Sequence, residues 1–96
     1  MNIHFIKNGN DLFVALDGRL DAVTAPRLES FLESRCEGEG IVVLDCEKLT
    51  YVSSAGLRVL LGAQKRTKGA MKLIHVGESV MAVLEMTGFA DILTIE

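Results

Sequence analysis

The stretch IVVLDCEKLTYVSSAGLRVLL, residues 41–61, joins a predicted buried strand to a predicted helix. Residues 41–45 form a short, continuous apolar run rich in β-branched side chains, which is typical of a strand buried on both faces and paired in parallel. A loop should follow, and then Leu57, Leu60 and Leu61 recur at the spacing of one buried helix face. A strand, a loop and a helix in this order indicate an α/β fold.

Two strands and a helix are predicted upstream of this stretch. Residues 1–17 contain two apolar segments separated by an Asn-Gly turn, which is a strong signal for a β-hairpin. A loop containing Gly18 and Asp21 should follow. A helix should then start near Thr24, because threonine is a favourable N-cap and proline is tolerated in a first turn.

The remaining elements are predicted downstream. The helix of the opening stretch should end at Gly69, after basic residues that suit the negative end of the helix dipole. Residues 70–76 predict a strand, and Ser79 is a suitable cap for a short third helix that Gly88 closes. Residues 90–96 predict a short strand or a final turn. The predicted order is β-β-α-β-α-β-α-β, a mixed β-sheet packed against α-helices.

The length and composition fit one globular domain, residues 1–96. Hydrophobic residues make up 49% of the chain and charged residues 24%, which is not the composition of a disordered protein. The net charge of -3 and the lack of a basic block argue against nucleic acid as a partner. The sequence has neither an apolar run of the roughly 18 residues that span a membrane nor a secretory signal, so we expect a cytoplasmic protein without direct membrane insertion.

The sequence lacks the motifs of common enzyme sites. The G-x-S-x-G elbow of a serine hydrolase would need glycine where Val52 stands, and the only histidines, His4 and His75, fall in predicted strands. The phosphate-binding and dinucleotide-binding glycine motifs are also absent. Four carboxylates lie in or near predicted loops and are interpreted as a solvated face: Glu37, Glu39, Asp45 and Glu47. We therefore expect no catalysis, no cofactor and no metal site.

The two cysteines, Cys36 and Cys46, form no CxxC pair and have no histidine nearby that would complete a zinc set. Two isolated thiols in a cytosolic protein are usually reduced. We predict that both stay reduced.

Two adjacent serines, Ser53 and Ser54, stand at the start of the predicted second helix. A serine hydroxyl at this place can satisfy an unpaired backbone N–H group, which is capping. A serine here is also a suitable chemical target, because a phosphate would meet the positive end of the helix dipole. The residues themselves leave both explanations open.

Residues 41–61, together with GRLDAVTAPRL at 18–28, resemble the STAS domain family, in particular the free-standing bacterial anti-sigma factor antagonists. The similarity runs from about the second strand to the end of the chain. Residues 18–21 look like the family's turn into the first helix, and residues 41–45 look like its central strand with an acidic end. Residues 53–57 look like its helix-start signature.

The resemblance implies that the serine two residues before the glycine, here Ser54, is phosphorylated by a cognate anti-sigma factor kinase. Many phosphorylated members have Asp before this serine and Ser or Thr after it, whereas this chain has Ser53 and Ala55. Ser53 is then a natural N-cap that leaves the Ser54 hydroxyl free, and it is also the second choice as acceptor.

The resemblance further implies a phosphorylation-switched binding protein, not an enzyme. Without phosphate it would bind an anti-sigma factor serine kinase and so release a sigma factor, and a metal-dependent serine phosphatase would restore this form. The kinase supplies ATP, so the chain itself needs no cofactor. The alternative is a non-switching STAS adaptor subunit of a transporter or sensory assembly. The expected partner surface centres on Ser54 and includes Asp21, Asp45, Ser53, Gly56, Leu57 and Arg58, with Gly56 shaping the backbone and Leu57 in the core.

Overall fold

The computed structural model of the protein describes residues 1–35 and 40–96. The strands in these residues are β1 (Asn2–Asn8), β2 (Asp11–Leu20), β3 (Val42–Val52) and β4 (Met71–Ile74). The helices are α1 (Ala25–Arg35), α2 (Ser54–Arg66) and α3 (Glu78–Met86). A 3-10 turn (Phe89–Asp91) follows α3.

The four strands form one mixed sheet in the order β1-β2-β3-β4. β1 and β2 pair antiparallel as a hairpin, whereas β2–β3 and β3–β4 pair in parallel through the helical connections α1 and α2. This confirms the predicted mixed sheet with helices. The final predicted strand is reduced to a single parallel bridge between Leu73 and Ile95.

The helices cover one face of the sheet and leave the other face open. Alternate side chains of β2 and β3 join the helices in one hydrophobic core, because successive strand residues point to opposite faces. The core side chains at these positions are Leu12, Val14 and Leu16 from β2 and Val42, Leu44 and Cys46 from β3. The intervening positions of the two strands pair across the open face, Phe13 with Val43 and Ala15 with Asp45.

Strand β3 is longer than the sequence predicts. The apolar run suggested a strand over residues 41–45 followed by a loop, but pairing with β2 continues to Val52. Glu47 and Lys48 interrupt the apolar pattern, yet Leu49 and Val52 still bury their side chains in the core. β2 likewise extends into the predicted loop and ends at Leu20. Tertiary pairing therefore overrides the local polar signal.

Two predicted helix caps are wrong. The Thr24 hydroxyl does not cap α1, because it accepts from the Asp21 N–H at 2.9 Å and donates to the Arg19 carbonyl at 2.7 Å. Ser79 lies inside the first turn of α3, whose N-cap is Gly77 without a side-chain hydrogen bond.

The end of one helix, α2, and the end of one strand, β4, also differ slightly from the prediction. α2 ends at Arg66, and the turn that follows reaches Gly69, whose N–H donates to the Gln64 carbonyl at 2.9 Å. β4 ends at Ile74, because His75 has a positive φ of 56° that leaves the extended conformation. Gly88 follows α3 with a φ of 81°, as a helix-closing glycine should.

Cys46 is buried in the core of β3. Burial raises the pKa of its thiol to about 12, and the nearby Asp45 carboxylate adds to this, so the thiol is un-ionised and unreactive. Cys36 lies outside the described residues, so the reduced state of the pair stays a prediction. Of the helices that the structure describes, none has the length and apolar character that a membrane crossing requires.

Candidate functional site

The predicted site lies where β2 and β3 end and α2 begins. The Ser53 N–H donates to the Leu20 carbonyl at 2.9 Å, which extends the β2–β3 pairing into the first residue after the strand. Gly56 packs directly against this point, since a Cβ there would lie 2.7 Å from Leu20 Cγ and 2.9 Å from Leu20 O. Only a residue without a side chain permits this approach. The helix start is therefore fixed against the end of β2, which agrees with the expected role of Gly56 in backbone shape.

The two serines have different environments. Ser53 has an extended backbone, and its Oγ accepts from the Gly56 N–H at 3.3 Å, so it is the N-cap of α2 as predicted. Ser54 is the first helical residue, its side chain is exposed, and no hydrogen bond of its hydroxyl occurs within residues 1–35 and 40–96. The Ser53 hydroxyl thus caps the helix, whereas the Ser54 side chain faces solvent.

The charges near Ser54 on α2 would favour an anion at this position. The first turn of α2 contains no acidic residue of its own that would offset the positive end of the helix dipole. Arg58 is exposed and stands four residues after Ser54, which places the two side chains on the same side of the helix. In the described part of the chain Arg58 forms no salt bridge.

Asp21 organises the loop beside this helix start. Its Oδ1 accepts from the N–H groups of Val23 and Thr24 at 3.0 and 3.1 Å. The hydrogen bond from the Thr24 N–H holds the pKa of Asp21 below its ordinary value, against an opposing effect of burial, and the Arg19 guanidinium at 3.7 Å adds a smaller lowering. The carboxylate is therefore ionised and committed to its own loop.

An exposed cation and an exposed ring lie at the same end of the sheet. Arg19 pairs with Tyr51 across β2 and β3, and its guanidinium lies 4.2 Å above the tyrosine ring. Val23, on the loop that follows β2, is 81% exposed. The Arg19–Tyr51 stack has no signal in the local sequence, because it forms only if β3 extends past its apolar run.

Asp45 does not lie beside Ser54, contrary to the sequence-based expectation. It stands seven residues before Val52 on β3, which at a strand rise of about 3.3 Å per residue is a separation of about 23 Å along the strand. Its Oδ1 lies 3.0 Å from Nδ1 of His75, the residue that follows β4. Leu57 is buried in the core as expected, so it supports the site from beneath.

Comparison with known proteins gives consistent matches over nearly the whole chain. The family model of the STAS domain matches residues 2–96. The chain is 36% identical to an anti-sigma-B factor antagonist of Listeria monocytogenes, over 90% of this chain and 77% of that relative.

Solved structures show the same fold at lower identity. An anti-sigma factor antagonist from Mycobacterium paratuberculosis superposes with a TM-score of 0.85 at 18% identity, covering 98% of this chain and 83% of the other. The anti-sigma factor antagonist SpoIIAA in its unphosphorylated form superposes with a TM-score of 0.82 at 14% identity, covering 99% and 88%.

Proposed function

The chain belongs to the STAS domain family, and we propose that it is an anti-sigma factor antagonist whose partner binding is switched by phosphorylation of Ser54. In this proposal the unphosphorylated protein binds an anti-sigma factor serine kinase in the cytoplasm and so frees a sigma factor. Phosphorylation by that kinase ends the binding, and a metal-dependent serine phosphatase restores it. The protein acts by binding and catalyses no reaction itself.

The division of roles between the two serines carries this proposal. The Ser53 hydroxyl is used to cap α2, so its modification would remove a hydrogen bond that holds the helix start. The Ser54 hydroxyl is exposed and makes no such bond in the described residues, so a kinase can reach it without opening the fold. Ser54 is therefore the better acceptor on structural grounds, and Ser53 is the second choice.

A phosphate on Ser54 would be compatible with the folded protein. It would bring about two negative charges to the positive end of a helix that lacks an acidic residue in its first turn. Arg58, one turn further on, supplies a cation at a spacing that favours pairing with it. The switch would thus change the surface that a partner meets and leave the domain folded.

The exposed groups around Ser54 suit a protein partner. Tyrosine and arginine are the side chains that most often dominate protein interfaces, and Arg19 stacked on Tyr51 provides both in a fixed arrangement. Val23 adds an exposed apolar contact on the neighbouring loop. We expect the partner surface to comprise Arg19, Val23, Tyr51, Ser54 and Arg58, with Asp21, Ser53, Gly56 and Leu57 holding it in shape.

The proposal is tested by incubating the protein with a candidate anti-sigma factor kinase and ATP, followed by intact-mass measurement and phosphopeptide mapping. We expect one phosphate on the parent and on Ser53→Ala, and none on Ser54→Ala. Phosphate on the Ser54→Ala protein would assign the switch to Ser53. No phosphate on any of the three with a kinase that binds the protein would favour the non-switching adaptor instead.

A further inference from the structure

The open face of the sheet carries a second polar cluster that the proposed switch does not use. Asp45 and Glu47 of β3 line one depression on this face. His75 directly follows β4, and the preceding residue Ile74 pairs with Asp45 across the two strands. One potential ligand atom from each of Asp45, Glu47 and His75 lies within 4.8 Å of the other two.

We propose that Asp45, Glu47 and His75 form a binding site for a divalent first-row transition-metal ion, with zinc as the expected occupant. Two carboxylates and one imidazole are the donor types that zinc and its neighbours accept in proteins, and three protein ligands leave a position for water. The site differs from a surface patch of acids because the imidazole comes from a separate strand connection, 30 residues further along the chain.

The geometry is close to that of a metal site before any ion is bound. Ligand bonds of about 2.0–2.2 Å place the donor atoms around a tetrahedral ion about 3.3–3.6 Å apart. Asp45 Oδ1 and His75 Nδ1 are already 3.0 Å apart, so the longer separations involve Glu47. Glu47 is exposed, and a change of its side-chain rotamer can bring its carboxylate inward. The ligand set can therefore close around an ion without moving the strands.

Asp45 is the centre of the trio. Its Oδ1 lies 3.0 Å from His75 Nδ1 and accepts from the Glu47 N–H at 3.1 Å. The remaining charged groups that line the same depression are Asp17 and Lys48, one of each sign. Asp45 and Glu47 thus place two acidic side chains in this depression, and Asp17 and Lys48 offset each other in charge.

There is also space for the rest of the coordination shell. The depression beside Asp45 and Glu47 has a volume of about 270 Å³, which accommodates water ligands. His4 of β1 lines the same depression but is not part of the trio. It is therefore a natural control, since it offers the same side-chain chemistry at a neighbouring position.

A bound ion would connect β3 to the segment after β4. β4 has only four residues, so this edge of the sheet depends on few backbone hydrogen bonds. An ion that binds the folded protein and not the unfolded chain stabilises the fold by mass action. The site is remote from Ser54, so it would act on this edge of the sheet whether or not the serine switch operates.

The test is a Zn²⁺ titration by calorimetry, together with amide NMR spectra, on proteins that all carry Cys36→Ser to remove a competing thiol. The parent should bind one ion, with shift changes centred on residues 45–47 and 75. His75→Gln and Glu47→Gln should each weaken the Kd by about 10-fold or more, as the loss of a ligand or its support typically does. His4→Gln should leave the Kd unchanged.

Two results would overturn the site. One is no Zn²⁺ binding by the parent up to about 1 mM, the range of the weakest specific affinities. The other is binding of equal strength in the parent and in both ligand variants, or shift changes centred elsewhere. All of these proteins keep Ser54, so failure of the phosphorylation proposal would not affect the outcome.

Discussion

The two ends of β3 carry polar groups that are built in different ways. At its C-terminal end the Ser53 cap, the Gly56 contact and the Leu20 carbonyl fix one another through short contacts between backbone and nearby side chains. In its N-terminal half, Asp45 meets His75 only because two parallel strands lie in register. The first site is held by the fold itself, whereas the second consists of surface side chains that can change without disturbing the core.

This difference predicts where substitutions act. Substitutions at the C-terminal end of β3 should alter either the stability of the fold or the affinity for the partner. Each residue there should affect one of these two properties more strongly than the other. Without added metal, changes at the Asp45–His75 cluster should leave both the fold and partner binding almost unchanged.

The largest effect should come from a charge at Ser54. Ser54→Asp should weaken binding to the kinase partner by about 2–5 kcal/mol, or some 30-fold or more, because the charge loses its solvation when the interface covers it. The same substitution should leave the fold intact and add about 0.3–1 kcal/mol of stability at the helix start. Binding is measured by calorimetry and stability by urea unfolding, with Ser54→Ala as the control that should bind normally. Full-strength binding by Ser54→Asp would contradict the switch.

The next largest effect should be on the free energy of unfolding, from a substitution at Gly56, which packs against Leu20. Gly56→Ala should lower the free energy of unfolding by about 1–3 kcal/mol, because the new Cβ meets the Leu20 side chain and carbonyl at under 3 Å. Gly62→Ala is the matched control in the same helix, since its Cβ would meet only Arg66 Nη1 at 3.7 Å. That change should stabilise the protein by about 0.5–1 kcal/mol through helix propensity. Equal shifts in urea unfolding for both variants would show that the contact is unimportant.

A smaller effect is expected for the cap. Ser53→Ala should lower the free energy of unfolding by about 1 kcal/mol, because the Gly56 N–H loses its acceptor. Phosphorylation of Ser54 should persist in this variant, as intact mass would show. If Ser53→Ala were as stable as the parent, the hydrogen bond at 3.3 Å would contribute nothing to the helix start.

The smallest effect should be the pH dependence of the Asp21 loop. The pKa of Asp21 is lowered in the folded protein from its ordinary value of 3.8, chiefly by the Thr24 N–H. Its contribution to stability is therefore complete above 3.8 and is lost as the pH falls through the lower folded value. Asp21→Asn should be less stable than the parent at neutral pH, and the difference should shrink in acid. A constant difference in urea unfolding across this pH range would exclude the effect of charge.

The cap at Ser53 and the close approach of Gly56, at the C-terminal end of β3, are predicted correctly from the sequence because their signals are local. Serine before a helix and glycine three residues later reflect backbone requirements that a few neighbouring residues set. The predicted caps at Thr24 and Ser79 are wrong for two different reasons. Ser79 lies inside the first turn of α3, past the N-cap Gly77. A favourable residue near a helix start caps only if no other group takes its oxygen, and Thr24 is engaged by the Asp21 N–H and the Arg19 carbonyl.

The full length of β3, and with it the position of Asp45, could not be predicted from the local sequence pattern. Glu47 and Lys48 look like loop residues, so the sequence suggests that the strand stops before them. Pairing with β2 extends the strand, and this moves Asp45 away from Ser54 and beside His75. Such a placement depends on contacts between residues 30 apart, which a window of neighbouring residues does not contain.

The adjacency of a structural serine and a free serine has a consequence for how such a protein evolves. In a chain where one residue both capped the helix and received the phosphate, any change that silenced the response would also weaken the fold. Under the proposed switch the two properties lie on different residues, with the cap on Ser53 and the phosphate on Ser54. A lineage could thus pass from a regulated protein to a permanently active one by a single replacement at position 54, and return by reversing it, without ever passing through an unstable intermediate.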